Sequence, residues 1–263
     1  GGGGGGRGVG GGGRGRGGGG GRGAGLEAGA GCAWGGGGRG VGGQGGGGSG
    51  VSHASMGVQA FEPQLQAAMG RIQPDQLIVE ATAMLRKAGV TSLNFDLMYG
   101  LPGQTMDHLE STLARTIELG ADRIALFGYA HVPHMLPRQR RIDATALPEQ
   151  DARFAMAEYG YQRLTAAGYV PIGFDHFALP HDPMAIAALE KLVRRNFQGF
   201  TDDQAPTLIG LGASAISCFD DLLVQNEKNA GRYRMLLSQD MLPANHGIRR
   251  SADDRLRGGV ISE

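Results

Sequence analysis

Ser92–Tyr99, SLNFDLMY, followed by the turn Gly100-Leu101-Pro102-Gly103, decides the fold class of this chain. The apolar run is short, bounded by a Gly/Pro turn, and reads as a buried strand. Thr105 caps a helix running to about Leu119, and Gly120 closes it. Arg123–Tyr129, RIALFGY, is a second buried strand. Upstream, Leu77, Ile78, Ala81, Met84 and Leu85 recur at intervals of three and four, which predicts a helix over about Pro74–Ala88 with Pro at its first position and Gly89 as its stop. Before it, Val51–Gln59 reads as a strand that runs into a polar loop. After the second strand, Pro148–Ala167 repeats the pattern of Pro at the start and Gly168 at the end. Strands alternating with helices predict parallel βαβ units and an α/β fold.

Periodicity leaves two architectures open, an open doubly wound sheet and part of a (β/α) barrel. Barrels place their chemistry just past the C-terminal ends of the strands. Gln59, Asp96 and the Tyr129-Ala130-His131 corner all occupy such places. After about Pro171 the pattern becomes irregular: FDHFALP (174–180), RRNFQGF (194–200) and LIGLGASAIS (208–217) mix Gly, aromatic and polar residues with short apolar runs. The expected organisation is therefore a tail over 1–50, a partial barrel over 51–172, and an incomplete loop-rich region covering substrate over 173–263.

The tail differs in kind. About two-thirds of residues 1–50 are glycine, and the stretch has no Lys, Asp, Ile, Phe, Tyr or Pro. It cannot bury enough apolar surface to offset the entropy of ordering, and disorder is expected. Gly/Arg-rich segments can bind RNA, but this one has no Phe or Tyr for stacking and its arginines are irregularly spaced. Every residue type in it has a guanine-rich codon, as a strand read out of frame would give. The tail holds five of the 25 basic and one of the 25 acidic residues, leaving 20 and 24 in a mildly acidic remainder. That balance gives no general case for nucleic acid. No apolar run reaches membrane-spanning length. The cysteines, Cys32 and Cys218, lie far apart, so no disulfide framework is expected and a cytoplasmic location fits. His131 and His134 have no third ligand at metal-site spacing. The GLPG turn is not a phosphate loop, because no Gly-Lys-Ser/Thr follows.

Five segments together carry a resemblance: SMGVQAF (55–61), NFDLMYGLPGQT (94–105), YAHVPHMLPRQRRI (129–142), GFDHFALPHD (173–182) and RRNFQGFTD (194–202). GLGASAIS (210–217) and QNEK (225–228) follow in order. With these, nearly all of 51–263 resembles the oxygen-independent (anaerobic) coproporphyrinogen III oxidases of the radical S-adenosylmethionine (SAM) superfamily. The resemblance implies the C-terminal half of a radical-SAM (β/α) barrel. It implies a [4Fe-4S] cluster that cleaves SAM, and a deoxyadenosyl radical that abstracts hydrogen from a substrate propionate. Two propionates of coproporphyrinogen III are then oxidatively decarboxylated to vinyl groups, giving protoporphyrinogen IX in heme synthesis.

Two SAM molecules are implied. Gln59, Arg71, Asp96 and Ala130 resemble contacts to the second and Ile216 a contact to the first. Arg71 suits the carboxylate of SAM and Asp96 its ammonium or ribose. Four propionates call for cations, for which Arg138, Arg140, Arg141, Arg194 and Arg195 are candidates. His131, His134 and His176 are candidates for positioning a propionate or moving protons. The chain departs from the pattern: the superfamily's Cys-x3-Cys-x2-Cys is missing, two distant thiols do not replace it, and the first barrel strands with their Gly-Gly-Thr type loop are expected to be absent too. Truncation at both ends, a monomer, and an inactive fragment are expected. The alternatives are a related heme chaperone, against which the NFQG segment speaks, and a Gly/Arg-rich RNA-binding protein carrying an enzyme relic.

Overall fold

A computed structural model describes residues 52–196 and 199–262; the expected disordered tail, Cys32, and Phe197-Gln198 of the NFQG segment lie outside these. The chain runs β1 (His53–Gln59), α1 (Pro63–Met69), α2 (Asp75–Lys87), β2 (Ser92–Tyr99), α3 (Met106–Glu118), β3 (Arg123–Gly128) and α4 (Gln150–Ala166). It continues through β4 (Val170–Pro171), β5 (His176–Ala178), α5 (Pro183–Leu189), β6 (Arg194–Asn196), β7 (Gly199–Thr201), β8 (Ile216–Cys218), β9 (Leu222–Asn226), α6 (Ala230–Ser238), β10 (Ala244–Arg249) and α7 (Ala252–Ser262).

Three helix ends follow the sequence cues. Gly89, Gly120 and Gly168, just past α2, α3 and α4, have φ of 93°, 69° and 91°, a conformation costly for a side chain. Thr105 accepts from the His108 amide while the His108 ring accepts from the Thr105 amide, closing a reciprocal cap on α3. Two helix starts depart from expectation. Pro74 is the cap before α2 rather than its first residue, and α4 begins at Gln150, not Pro148. The loop expected after β1 contains α1, which carries Pro63 in its first turn.

The main sheet has the order β1-β2-β3-β5-β4. β1, β2 and β3 pair in parallel, as the alternation of strands and helices predicts. The sheet then continues past residue 172 with β5, which pairs antiparallel to β3 and to β4, so it is mixed rather than wholly parallel. Two smaller antiparallel sheets follow, β6-β7 and β10-β9-β8.

Alternation along the strands separates two faces. Val58, Leu93, Phe95, Leu97, Ile124, Leu126 and Phe177 join Leu109 and Leu113 of α3 and Met156 and Leu164 of α4 in one core. The opposite parity on β1, β2, β3 and β5 carries Ser55, Gly57, Asn94, Asp96, Arg123, Ala125 and His176. Polar and small side chains thus occupy the face turned away from α3 and α4.

At the N-terminal ends of β2 and β3 a buried ionic network ties the layers together. Asp182, only 2% exposed, accepts from Ser92 Oγ (2.6 Å), Arg123 Nε (2.7 Å) and the Met184 amide (2.8 Å). Asp122 accepts from the Leu93 amide at 2.7 Å and pairs with Arg86 at 2.6 Å. No described helix is long and apolar enough to cross a membrane.

Candidate functional site

The parallel strands end at the same edge, and the residues just past those ends build a cavity. β1 finishes in an irregularity: its register with β2 shifts between Gly57 and Gln59, and Gln59 adopts φ 70°. A left-handed conformation is strained for a side chain bearing a Cβ. It turns Gln59 into the interior, where the residue is 8% exposed and Oε1 has no hydrogen-bond partner. An orphaned buried acceptor costs stability and points to an absent donor.

Arg71 reaches the same place from the loop after α1. Its Nη2 donates to Gly57 O at 2.9 Å, and the strand lets it pass because residue 57 has no side chain. A Cβ on Gly57 would stand 2.9 Å from Gln59 Nε2 and 3.0 Å from Arg71 Nη2. Gln66, buried, fixes that loop by donating to Ala60 O (2.9 Å) and Gln73 O (2.8 Å) and accepting from Gln73 N (2.8 Å).

Gln59 and Arg71 line a cavity of about 190 Å³. Met69, Met98 and Ile142 give it apolar walls, and Tyr129, Gln139 and Arg138 complete it from the loop after β3. That loop is itself clamped. Gln139 donates to Ala130 O at 2.8 Å and accepts from Val132 N at 2.5 Å, while Arg153 of α4 donates to Tyr129 O at 2.6 Å. Gln104 closes the loop after β2 in the same manner, to Met98 O and Leu101 N. Each of the three loops is thus held by one side-chain amide used as donor and acceptor.

Asp96 sits one strand position below the cavity, in a cross-strand row Gly57, Asp96, Ala125, His176. The missing side chain at 57 leaves room that the Arg71 guanidinium and the Gln59 amide fill beside the row, and the Arg71 charge acts on the Asp96 carboxylate. Burial raises its pKa above the ordinary carboxylate value, opposed by hydrogen bonds from Asn94 (2.7 Å) and Ser55 (3.2 Å). At the end of the row His176 Nδ1 pairs with Asp175 at 2.6 Å, and its ring packs edge-on against Phe127 and Phe200.

The sequence candidates therefore divide. Gln59 and Arg71 meet in the cavity with Asp96 beneath them, and the Ala130 carbonyl accepts from Gln139 at its rim. Ile216 lies on β8 in the three-stranded sheet and does not line this cavity. Of the five arginines matched to propionates, Arg138 lines the same cavity as Arg71. Arg194 and Arg195 line a second cavity of about 110 Å³ with Thr201, Asp203 and Cys218. Arg195 lies 5.3 Å over the Phe200 ring. Arg140 and Arg141 line neither cavity. His131 accepts or donates at 3.1 Å to the Tyr129 hydroxyl, and His134 is exposed. Sequence reasoning placed Tyr129 in the corner past β3 but missed the two methionines, Met69 and Met98, and the clamping glutamines Gln66, Gln104 and Gln139. The lone cue for the glutamines is a Gln in each segment after a strand.

Residues 47–116 match the model of the Radical SAM superfamily. The chain is 44% identical over 211 residues to a coproporphyrinogen III oxidase, anaerobic 1, of Cereibacter sphaeroides, covering 80% of this chain and 47% of that one. It is 46% identical to an oxygen-independent coproporphyrinogen III oxidase of Bradyrhizobium diazoefficiens, with the same coverages. The solved coproporphyrinogen III oxidase of Escherichia coli, described as a radical SAM enzyme, superimposes with a TM-score of 0.70 at 38% identity. That superposition covers 81% of this chain and 49% of that one. The chain spans about half the length of the curated relatives it matches.

Proposed function

We infer that the chain belongs to the oxygen-independent coproporphyrinogen III oxidases of the radical SAM superfamily, and we propose that its part in their chemistry is to hold SAM at the ends of β1–β3. The observation that carries this reading is the cavity in which Gln59 Oε1 is buried without a donor beside the Arg71 guanidinium. Those groups fit the amino-acid end of SAM: a guanidinium for the carboxylate and a bare amide oxygen for the ammonium. Asp96, below them, offers a carboxylate for an ammonium or ribose hydroxyl. Loops fixed by Gln66, Gln104 and Gln139 hold these groups in place before a ligand arrives, which lowers the ordering cost of binding.

SAM held by Gln59, Arg71 and Asp96 would supply a deoxyadenosyl radical, able to remove hydrogen from a substrate propionate, only where one electron reached it to cleave its carbon–sulfur bond. The substrate proposed is coproporphyrinogen III, oxidatively decarboxylated at two propionates to protoporphyrinogen IX. Arg194 and Arg195, around the second cavity, are the residues proposed to meet its carboxylates, and Ile216 a further SAM molecule. A [4Fe-4S] cluster needs three thiolates. Cys218 is the free thiol among the described residues, which contain no group of three His, Cys, Asp or Glu able to hold a metal. The chain has two cysteines in all. These residues do not fit the cluster, and binding is the part of the reaction proposed for this chain.

Anaerobic calorimetric titration of the chain with SAM tests the reading. Saturable binding is expected, weakened by roughly 10-fold or more in Gln59→Leu, which keeps the bulk and removes the amide. A wild-type chain that takes up no SAM removes the proposal.

A further inference from the structure

We propose that Arg138 is the second guanidinium of the Gln59–Arg71 cavity, making it a subsite for the α-amino carboxylate of a ligand. This places Arg138 with SAM rather than with the propionates of the porphyrinogen. It deepens the SAM reading and rests on it.

Composition of the cavity wall is the first ground. Arg71 and Arg138 both line a space of about 190 Å³, and no Asp or Glu shares that lining. Two like charges facing one small space repel unless an anion lies between them. Asp96, beneath the cavity, balances only part of the Arg71 charge, Arg71 spends Nη2 on Gly57 O, and among the described residues the Arg138 side chain has no hydrogen bond or ion pair. The guanidinium is planar, permanently charged and matched to a carboxylate in two-pronged geometry.

The second ground is Gln59. Its unpartnered Oε1, on a residue 8% exposed, is an acceptor at the same cavity. Two cations and one bare acceptor are the complement of a group carrying a carboxylate and an ammonium together. Met69, Met98 and Ile142 supply apolar wall for the aliphatic chain that follows such a group.

The third is the placement of Arg138. It stands in a 3₁₀ turn, Pro137–Arg141, whose preceding loop is pinned by Gln139 to Ala130 and Val132. Backbone next to Arg138 is therefore fixed relative to β3 while its side chain remains free to close over a ligand. Arg140, by contrast, is drawn to Pro133 O.

The test is calorimetry on the full chain with three probes: SAM, S-adenosylhomocysteine, which keeps the amino carboxylate without the sulfonium, and methylthioadenosine, which lacks the amino carboxylate. Arg138→Gln is expected to weaken SAM and S-adenosylhomocysteine by roughly 10- to 100-fold and to leave methylthioadenosine unchanged. Arg138→Lys is expected to recover part of the loss. Arg138 is exposed and unpaired, so both variants should melt as wild type does. Wild-type SAM binding that Arg138→Gln leaves intact, or an equal loss for methylthioadenosine, overturns this inference while the SAM reading stands. Arg138-dependent binding of S-adenosylhomocysteine without SAM binding keeps the subsite and removes the SAM reading. A wild-type chain that binds none of the three overturns both.

Discussion

At the scale of single residues, the site is built from groups that are costly to the fold. Asp96 shows this most directly. Its carboxyl is held above the ordinary value chiefly by burial, with the Asn94 and Ser55 hydrogen bonds opposing. Between the unfolded value of 3.8 and the raised folded value, the native chain binds more protons than the unfolded one. Stability therefore falls as pH rises through that window, and the burial cost stands in full above it. Asp96→Asn removes the charge and keeps the shape, so it should raise the melting temperature at pH 7 while weakening SAM. The gain over wild type should narrow as pH is lowered toward 4. Paired thermal melts across that range check it; a gain independent of pH, or a loss at pH 7, means that burial is not what raises the carboxyl. Gln59 fits the same account, since both its left-handed backbone and its orphaned oxygen are unfavourable until a ligand supplies a donor.

At the scale of elements, close approach decides where helices sit. Gly160 of α4 is buried against β3, and a Cβ there would stand 2.4 Å from Leu126 Cδ2, itself in the core. Alanine in a helix is favoured over glycine by about 1 kcal/mol, and overpacking a filled core costs typically 1–3 kcal/mol. Gly160→Ala is expected to lose about 1 kcal/mol net by denaturant melt. Leu126→Ala should absorb the clash, so the double variant should be more stable than the sum of the single losses. Additive losses would show that α4 shifts rather than strains. Elements of this kind were legible in the sequence where the signal is local. The parallel strands and α2–α4 follow from apolar period and from the glycines that end the helices. The short helix α1 was not, because seven residues in a polar stretch carry little periodicity. Nor was the antiparallel pairing of β5 on β3, since strand direction depends on partners distant in the chain. Of the candidate site, Gln59 and Asp96 stood in quoted segments and Arg71 was named through the resemblance alone, and the structure brings Gln59 and Arg71 to one cavity. The place of Arg138 was not, because a long loop has no period and its path is set by the Gln139 clamp.

At the scale of the whole molecule, the sheet has two ends with opposite duties. The C-terminal ends of β1–β3 carry strain, an unpaired acceptor and two guanidiniums lining one cavity that no carboxylate lines. The N-terminal ends of β2 and β3 carry saturated pairs, with Asp182 joining Ser92 of β2, Arg123 of β3 and the first turn of α5. Arg123 is further held by Asp202 at 3.2 Å, which ties the segment after β7 to the same point. Removing one member of a buried ion pair leaves its partner's charge uncompensated, typically at about 3–5 kcal/mol. Asp182→Ala should therefore cost roughly 3 kcal/mol or more of unfolding free energy in denaturant melts. At a temperature where the variant remains folded, its affinity for SAM should match wild type within about 2-fold, a difference below 1 kcal/mol. Matched affinity with lost stability means that the two ends of the sheet are energetically separate. An affinity that falls in step with stability means instead that the network at one end of the strands sets the geometry of the cavity at the other. The clamps on Ala60, Met98 and Ala130 would then be insufficient by themselves.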